Sequence, residues 1–200
     1  MVAQVADPDA SSRPRRADAE RNITAILDAA IDALAERPDA SVASIAERAG
    51  LTRQTVYAHY PSREALLAAV ADRALAEAVA AIEGSRPDDG PPMEALQRLI
   101  PAWWETVGGH ARVLDSLAGA GEALSDLHAF HAPILGRLLP LIRRGQRSGD
   151  FEPSVPAEWH AAAFLALVHA AADQVARSDF TEGEAGRALA STVPKALSAA

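Results

Sequence analysis

The residues with the clearest chemistry in this chain are three neighbours, Arg53, Gln54 and Thr55. An arginine guanidinium can pair bidentately with O6 and N7 of guanine, and a glutamine amide can pair in the same way with N6 and N7 of adenine. Thr55 can contact a thymine methyl group or a phosphate. Thr52 can cap a helix and also donate to a phosphate near the helix amino terminus, where backbone N–H groups attract anions. These residue types in this order indicate recognition of double-stranded nucleic acid.

Two short helices joined by a sharp turn are predicted to position these residues. Ser41 is a good N-cap for the first helix. Apolar residues recur along that helix at i, i+3, i+4 and i+7, namely Val42, Ile45, Ala46 and Ala49. Gly50 can take the positive φ that a sharp turn requires. Thr52 caps the second helix, in which Val56 and Tyr60 lie one turn apart on the inward face, so its polar residues face outward. This is a helix-turn-helix pattern of the DNA-binding type.

The stretch IAERAGLTRQTVYAHYPSREALLAAV, residues 45–70, closely resembles the DNA-binding segment of the TetR family of bacterial transcriptional regulators. The matching residues are Ile45-Ala46, Ala49-Gly50, Thr52, Val56-Tyr57, His59-Tyr60 and Ser62-Arg63-Glu64-Ala65-Leu66-Leu67. The resemblance extends back through Ile26-Leu27-Asp28-Ala29-Ala30 and covers roughly residues 21 to 75. The rest of the chain resembles the family only in its helical pattern and its length.

The resemblance implies further DNA contacts. Tyr57, His59 and Arg63 are similar to family residues that contact phosphates, which sets the register on the duplex without reading sequence. For Tyr57, packing into the core is the alternative interpretation. In the first short helix Ala43 stands where relatives often carry a polar or basic residue, which leaves Ser41, together with Ser44, as the candidate contact there.

The charge distribution limits the kind of nucleic-acid binding. The net charge is −8, which argues against non-specific coating of nucleic acid. Between Ser41 and Arg63 the local balance is +2, since Arg48, Arg53 and Arg63 outnumber Glu47. Ordinary solvated helix charges are the alternative interpretation of these arginines. Phosphate attraction is therefore expected on one surface only.

Composition also restricts the compartment. The absence of cysteine excludes disulfides and thiolate metal sites and fits a reducing compartment. No secretory leader pattern is present, and the longest apolar run, Ala161–Ala172, is far short of the roughly 20 residues of a membrane span. We expect a cytoplasmic protein without a membrane partner.

The chain is predicted to be all-α, with an amino-terminal three-helix bundle joined by a linking helix to a helical carboxy-terminal domain. Residues 1–18 form a flexible arm in this prediction, 19–64 the DNA-binding domain, 65–82 the linking helix and 93–200 the carboxy-terminal domain. The first helix covers Ala19–Arg37 and ends at Pro38. Arg13, Arg15 and Arg16 of the arm could reach DNA, although a solvated tail is favoured. Helices are predicted over Met93–Val107, His110–Ala118, Leu124–Gln146, Ala157–Arg177 and Thr181–Leu197, with kinks or breaks at Pro101 and Pro140.

Aromatic and histidine side chains are concentrated in the carboxy-terminal half. An apolar pocket with a few polar groups is typical of small-molecule sites, and the resemblance implies an effector cavity in this domain. The candidate lining residues are Trp103, Trp104, His128, His131 and Phe164. An ordinary core with hydrogen-bonded histidines is the alternative. His128 and His131 could share a metal, but no Glu-x-x-His pairs accompany them, so we expect neither a metal nor another cofactor.

The resemblance further implies that helices 157–177 and 181–197 form a four-helix dimer interface. The residues expected there are Ala163, Ala166, Leu167, Ala170, Ala171 and Gln174 on the first helix and Ala185, Leu189, Thr192, Val193 and Leu197 on the second. Packing within one chain is the alternative.

These features lead to a functional hypothesis. We expect a homodimeric repressor that binds a palindromic operator, with half-sites about 34–36 Å apart, and is released by a small molecule. The alternatives are a helical-bundle enzyme or metal-binding protein, for which no constellation of acids, bases or ligands is found, and a protein-interaction module. Phosphate contacts would distinguish the last of these, because they give DNA affinity a steep dependence on salt.

Overall fold

The computed structural model describes residues 12–37, 39–119 and 127–199, and these residues are helical with connecting turns. Eight helices follow in order: α1 Ser12–Glu36, α2 Val42–Arg48, α3 Arg53–His59, α4 Arg63–Gly84, α5 Pro92–Gly119, α6 Leu127–Ser148, α7 Ala157–Ala176 and α8 Glu182–Leu197. The only β-type pairing in these ranges is an isolated bridge between Phe151 and Ser198. The predicted all-α fold is confirmed. None of the helices described is both long and apolar enough to cross a membrane.

The chain divides into two compact units at residue 70. The first unit holds α1, α2, α3 and the start of α4, and the second holds the rest of α4 with α5 to α8. The first unit has its own apolar core, and its fully buried members include Ile26, Ala30, Ile45, Val56 and Val70. Because these residues come from all four helices, the position of α3 is set by α1, α2 and α4 together.

The first helix begins earlier than the sequence predicts. It starts at Ser12 and not at Ala19, so the predicted flexible arm is wrong for residues 12–18. Pro14 lies in its first turn, where the missing N–H removes no helical hydrogen bond. Residues 1–11 of the arm lie outside the described residues, as does Pro38. The helix ends at Glu36, consistent with the restriction that a proline places on the residue before it.

The predicted break near residues 108–109 is also wrong, because Pro92–Gly119 is one continuous helix that includes Pro101. Gly108 is a packing residue and not a helix end. A Cβ added there would lie 3.1 Å from the Trp104 ring, so the ring would have to shift slightly to make room for it. A glycine inside a helix costs roughly 1 kcal/mol relative to alanine, and close packing of a large aromatic side chain offsets that cost. Likewise α6 continues through Pro133 and Pro140.

The core of the second unit is formed by its part of α4 together with α5, α6, α7 and α8. Its largest fully buried side chains include Ile82, Leu96, Leu138, Phe151 and Phe164. The predicted dimer residues Ala185, Leu189, Val193 and Leu197 are all buried in this core, and so is Ala171. For these five residues packing within one chain is the correct alternative, since α8 directs its apolar stripe at α5 and α7 of its own chain. Three other residues of the predicted interface, Ala166, Ala170 and Thr192, are exposed, and for them the dimer contact stays a prediction.

Two arginines hold the loop between α4 and α5. Arg144 donates from Nη1 to the carbonyls of Asp88 (2.9 Å) and Gly90 (2.7 Å), and from Nη2 to that of Pro87 (2.6 Å). Arg98 donates to the carbonyl of Asp89 over 2.6 Å. Five-donor guanidinium groups suit this task, because one side chain can satisfy several carbonyls that no helix or strand pairs.

A capping box begins α8. The Glu184 N–H donates to the Thr181 hydroxyl (3.2 Å), and the Thr181 N–H donates to the Glu184 carboxylate (2.8 Å). The hydrogen bond from the Thr181 backbone, followed by that from its hydroxyl, lowers the pKa of Glu184 below its ordinary value of 4.5. The box therefore stabilises the fold fully above the ordinary carboxyl pKa, and this contribution is lost as the pH falls through the lowered folded-state value.

The Glu184→Gln variant tests this pH dependence. Glutamine can also serve in a capping box but does not titrate. We expect wild type to lose more stability than the variant between pH 7 and pH 3 in urea unfolding experiments. Parallel pH profiles for the two chains would contradict the assignment.

Candidate nucleic-acid interface

Local hydrogen bonds set the two short helices as the sequence predicts. Ser41 caps α2, accepting from the Ser44 N–H over 3.1 Å. Gly50 turns the chain with a φ of +68°. Thr52 caps α3, accepting from the Thr55 N–H over 3.1 Å. Val56 is fully buried and fixes the rotation of α3 about its axis. The predicted helix-turn-helix is confirmed.

The opposite side of α3 carries polar side chains. Arg53 and Gln54 are exposed, and Thr55 and Tyr57 are partly exposed. The Arg53 guanidinium lies 5.3 Å from the centre of the Tyr57 ring, with Nη2 3.4 Å from the Tyr57 hydroxyl. A cation held over an aromatic ring has fewer orientations to lose on binding. Arg53 is thus held along the outer surface of α3.

A cleft of about 440 Å³ lies beside this surface. It brings together four of the predicted DNA-contacting residues, Ser41, Arg53, Tyr57 and Arg63. The other four, Thr52, Gln54, Thr55 and His59, lie on α3 or at its start but outside the cleft lining. Asp39 also lines the cleft and was not singled out from the sequence, because nothing local marks an acidic residue in the α1–α2 turn as part of this surface.

Arg63 has a structural contact besides its predicted role. It is partly buried, and its Nη1 donates to the carbonyl of Ala40, which immediately precedes the α2 N-cap. The contact ties the first residue of α4 to the start of α2. Replacement of Arg63 would therefore disturb the position of α2 as well as any contact with a phosphate.

Of the three arginines between Ser41 and Arg63, one has its charge neutralised by a carboxylate of the neighbouring helix α1. Arg48 forms a two-point ion pair with Glu36 of α1, at 2.9 and 2.5 Å. The hydrogen bond from Arg48 lowers the pKa of Glu36, so the carboxylate stays ionised at neutral pH. The other two arginines, Arg53 and Arg63, line the cleft beside α3 together with Asp39.

Thr52 offers a test of the cap. Thr52→Ala is expected to destabilise the first unit by about 1 kcal/mol, because the Thr55 N–H loses its acceptor. Thr52→Ser keeps the hydroxyl and should stay much closer to wild type. Thermal unfolding of the full chain followed by circular dichroism gives both values. Equal losses in the two variants would show that the methyl group, and not the cap, carries the effect.

The predicted ligand residues of the second unit do not form one site. Trp103 and Phe164 stack in the core, with ring centres 4.9 Å apart and planes at 13°. Trp104 donates from its indole to the carbonyl of Glu182 (2.9 Å) and borders a separate groove between α5 and α8. His131 borders a third region, between α6 and α7. The side chain of His128 lies outside the described residues.

The groove between α6 and α7 has a volume of about 470 Å³ and is mostly apolar. Its lining residues are His131, Leu135, Leu139, Glu158, Ala162, Leu165, Ala166 and His169. His169 belongs to the same concentration of aromatic and histidine residues in the sequence, although it was not among the candidate lining residues. The centres of its ring and of the His131 ring lie 5.5 Å apart. Within the ranges the structure describes, no three His, Asp or Glu side chains gather in a way that could hold a metal ion.

An all-helical chain in which a capped helix-turn-helix presents Arg53 and Gln54 to solvent has the fold of a helix-turn-helix regulator. Residues 26–70 match the family model described as bacterial regulatory proteins, tetR family. The resemblance of the amino-terminal segment to the TetR family is confirmed.

Individual relatives agree with this assignment. The repressor LfrR of Mycolicibacterium smegmatis is 44% identical over 81 residues, which cover 40% of this chain and 43% of LfrR. The regulator EthR of Mycobacterium tuberculosis is 35% identical over 107 residues, covering 52% of this chain and 48% of EthR. The match thus spans less than half the length of either relative.

Solved structures resemble the whole fold. The structure of LfrR from Mycobacterium smegmatis in complex with proflavine superimposes with a TM-score of 0.69 and 26% identity, covering 90% of this chain and 99% of that one. FadR from Bacillus subtilis in complex with stearoyl-CoA gives a TM-score of 0.74 at 17% identity, covering 88% of this chain and 97% of that one, which indicates a shared fold.

Proposed function

We propose that this chain is a ligand-responsive transcriptional repressor that binds operator DNA as a homodimer. The observation that carries the proposal is the outer side of α3. It presents a guanidinium, an amide and a hydroxyl on a helix whose rotation is fixed by the buried Val56. Inserted into the major groove, such a helix can read base edges with Arg53 and Gln54. The family assignment of residues 26–70 supports the same use.

Phosphate contacts are assigned to groups around the base-reading residues. Thr52 lies at the amino terminus of α3, where backbone N–H groups favour an anion, although this seven-residue helix is too short to act alone. Ser41, Tyr57 and Arg63 line the cleft beside α3, and His59 closes its last turn. These side chains would hold the recognition helix in register.

Two copies are proposed because one recognition helix reads only a short site. A two-fold dimer places a second α3 one helical turn of DNA away, about 34–36 Å, and makes a palindromic operator the natural target. Repression is proposed as the sign of regulation, because a small dimer seated on an operator acts most simply by occlusion.

The second unit is proposed to bind the effector beside the Trp103–Phe164 stack. Trp103 is 3% exposed, and its indole N–H has no hydrogen-bond partner within the described part of the chain. A buried donor left unpaired costs roughly 1–3 kcal/mol, and an acceptor on a bound ligand would remove that cost. The proflavine and stearoyl-CoA complexes of LfrR and FadR support a small-molecule site in a fold of this kind. The effector is therefore proposed to be apolar and to carry a hydrogen-bond acceptor.

Selection of bound sequences from random DNA duplexes tests the proposal. Enrichment of a palindrome with half-sites one helical turn apart is the expected result. Affinity for that duplex should fall steeply between 50 and 200 mM salt, since counterion release accompanies phosphate contacts. Selection that enriches no sequence would contradict the assignment as an operator-binding regulator.

A further inference from the structure

Trp159 on α7 is exposed to an unusual degree. Its side chain is 66% exposed, the largest value among the bulky apolar residues that the structure describes. A single exposed apolar residue is common on a protein surface and needs no explanation by itself. Trp159, however, lies next to the apolar groove between α6 and α7, and it is not among the residues that line that groove.

The groove is built by two antiparallel helices. At one end the imidazoles of His131 and His169 face each other, and at the other Arg143 donates to Glu158 over 2.6 Å. The part of α7 between these ends is about 16 Å long at 1.5 Å per residue. Leucines of α6 and small residues of α7 form its apolar walls, as given above, and the groove is open to solvent on one side.

Trp159 shares a helix face with two lining residues of the groove. Trp159, Ala162, Ala166 and Ala170 are all exposed and recur at intervals of three and four, so they form one stripe along α7. Alanines along such a stripe let a second helix approach closely. The stripe therefore combines a large protruding side chain with a flat surface and an adjacent groove.

The stripe on α7 can be covered by a partner without burying an unpaired charge. Between Trp159 and Ala172 the sequence has no Asp, Glu, Lys or Arg. The flanking acids are paired within the chain, Glu158 with Arg143 (2.6 Å) and Asp173 with Arg177 (3.3 Å). A partner that covers the stripe therefore leaves no unpaired buried charge, which would otherwise cost several kcal/mol. A highly charged partner would gain nothing there, whereas a second copy of α7 is uncharged over the same length.

We infer that the α6–α7 groove receives the partner subunit's Trp159, an inference that rests on the proposed homodimer. If the two α7 helices cross antiparallel, with the two-fold axis between Ala162 and Ala166, residue 159 of one copy lies opposite residue 169 of the other. The partner subunit's Trp159 then enters the groove at its histidine end and packs against the imidazoles of His131 and His169. Two-fold symmetry repeats the contact, so each subunit supplies one tryptophan and one groove.

Tryptophan fluorescence tests the arrangement directly. Trp103 and Trp104 are only 3% and 8% exposed, so Trp159 is the side chain that a soluble quencher such as acrylamide would reach in a monomer. The Trp159→Phe chain supplies the baseline from the two buried residues. We expect the Trp159 signal to be protected at concentrations where sedimentation shows a dimer, and to become quenchable on dilution into monomer. A Trp159 that is fully quenchable in the dimer would overturn the inference while leaving dimerisation intact.

Two substitutions, each with a matched control, test the Trp159 side chain and the groove separately. Trp159→Ala should weaken dimerisation by at least about 30-fold, since central tryptophans are typical binding hot spots. Phe180→Ala, at another exposed aromatic residue, should leave it unchanged. Ala166→Arg places a charge in the groove and should make an intact Trp159 quenchable, whereas Ala68→Arg, the same exchange at an exposed alanine of α4, should not. Unchanged dimer affinity in both Trp159→Ala and Ala166→Arg would overturn the inference.

These outcomes are distinguishable from failure of the proposed function. Sequence selection on duplex DNA depends on the α3 surface and is measured separately. A chain that enriches a palindrome but dimerises normally as Trp159→Ala retains its proposed function and loses this interface. A chain that remains a monomer at every concentration and enriches no palindrome fails in both respects.

Discussion

Arg53→Ala is expected to relax the preference for one base pair in each half-site by about 1–3 kcal/mol, roughly 5- to 150-fold in relative affinity. The guanidinium is exposed on α3 and held near the Tyr57 ring, and the expected loss follows from its proposed two-point recognition of a guanine. Gln54→Ala should have an effect of similar size at a different position, where an adenine is preferred. Competition binding with operators altered at one base pair at a time measures both effects.

A matched control is available on α1. Arg21 is also exposed, with 69% of its side chain accessible, and Arg21→Ala removes the same charge from a different surface of the first unit. It should leave the pattern of base preference unchanged. If Arg53→Ala instead lowers affinity equally for every operator variant, Arg53 contacts phosphate and does not read a base.

Gly145→Ala is expected to destabilise the second unit by about 3 kcal/mol, near the upper end of what overpacking usually costs. A Cβ at residue 145 would lie 2.7 Å from Cγ of Phe151 and closer still to other atoms of the ring. The ring cannot move aside easily, because Phe151 is fully buried and its N–H donates to the Gly145 carbonyl over 3.1 Å. The unfolding free energy from urea titration of the full chain gives the value.

Gly136 provides the opposite expectation in the same helix. A Cβ added there meets nothing within 4 Å, and the position is exposed. Gly136→Ala should therefore stabilise α6 by up to about 1 kcal/mol through helix propensity alone. Destabilisation by both alanine substitutions would point to the general importance of glycine in α6 and against the specific clash with Phe151.

The features predicted correctly from the sequence are those governed by neighbouring residues. Ser41 and Thr52 cap the two short helices, and Gly50 takes the left-handed conformation between them, since each depends on a hydrogen bond or dihedral angle within four residues. The mistaken break at Gly108 has a tertiary element. The Trp104 ring lies over this glycine one turn away on α5, and its indole donates to the Glu182 carbonyl at the start of α8, a contact between distant parts of the sequence.

The residues predicted to bind a ligand show the same division between local and tertiary features. The sequence marked Trp103, Trp104, His131 and Phe164 as unusual, but it could not state which neighbours they have. Only the packing of α5, α6 and α7 puts Trp103 against Phe164 and His131 against His169. On α8 the apolar stripe was recognised correctly, but a helical period does not specify whether a stripe faces its own chain or another.

The two arginines of α5 and α6 that hold the α4–α5 loop affect how this loop can change in evolution. Arg98 and Arg144 contact only main-chain carbonyls of residues 86 to 90, and every amino acid supplies such a carbonyl. The side chains of Pro87, Asp88 and Asp89 can therefore be exchanged widely without losing these hydrogen bonds. Insertion or deletion of a single residue would move the carbonyls out of reach. The loop is thus tolerant of substitution and intolerant of a change in length, the reverse of the usual behaviour of surface loops.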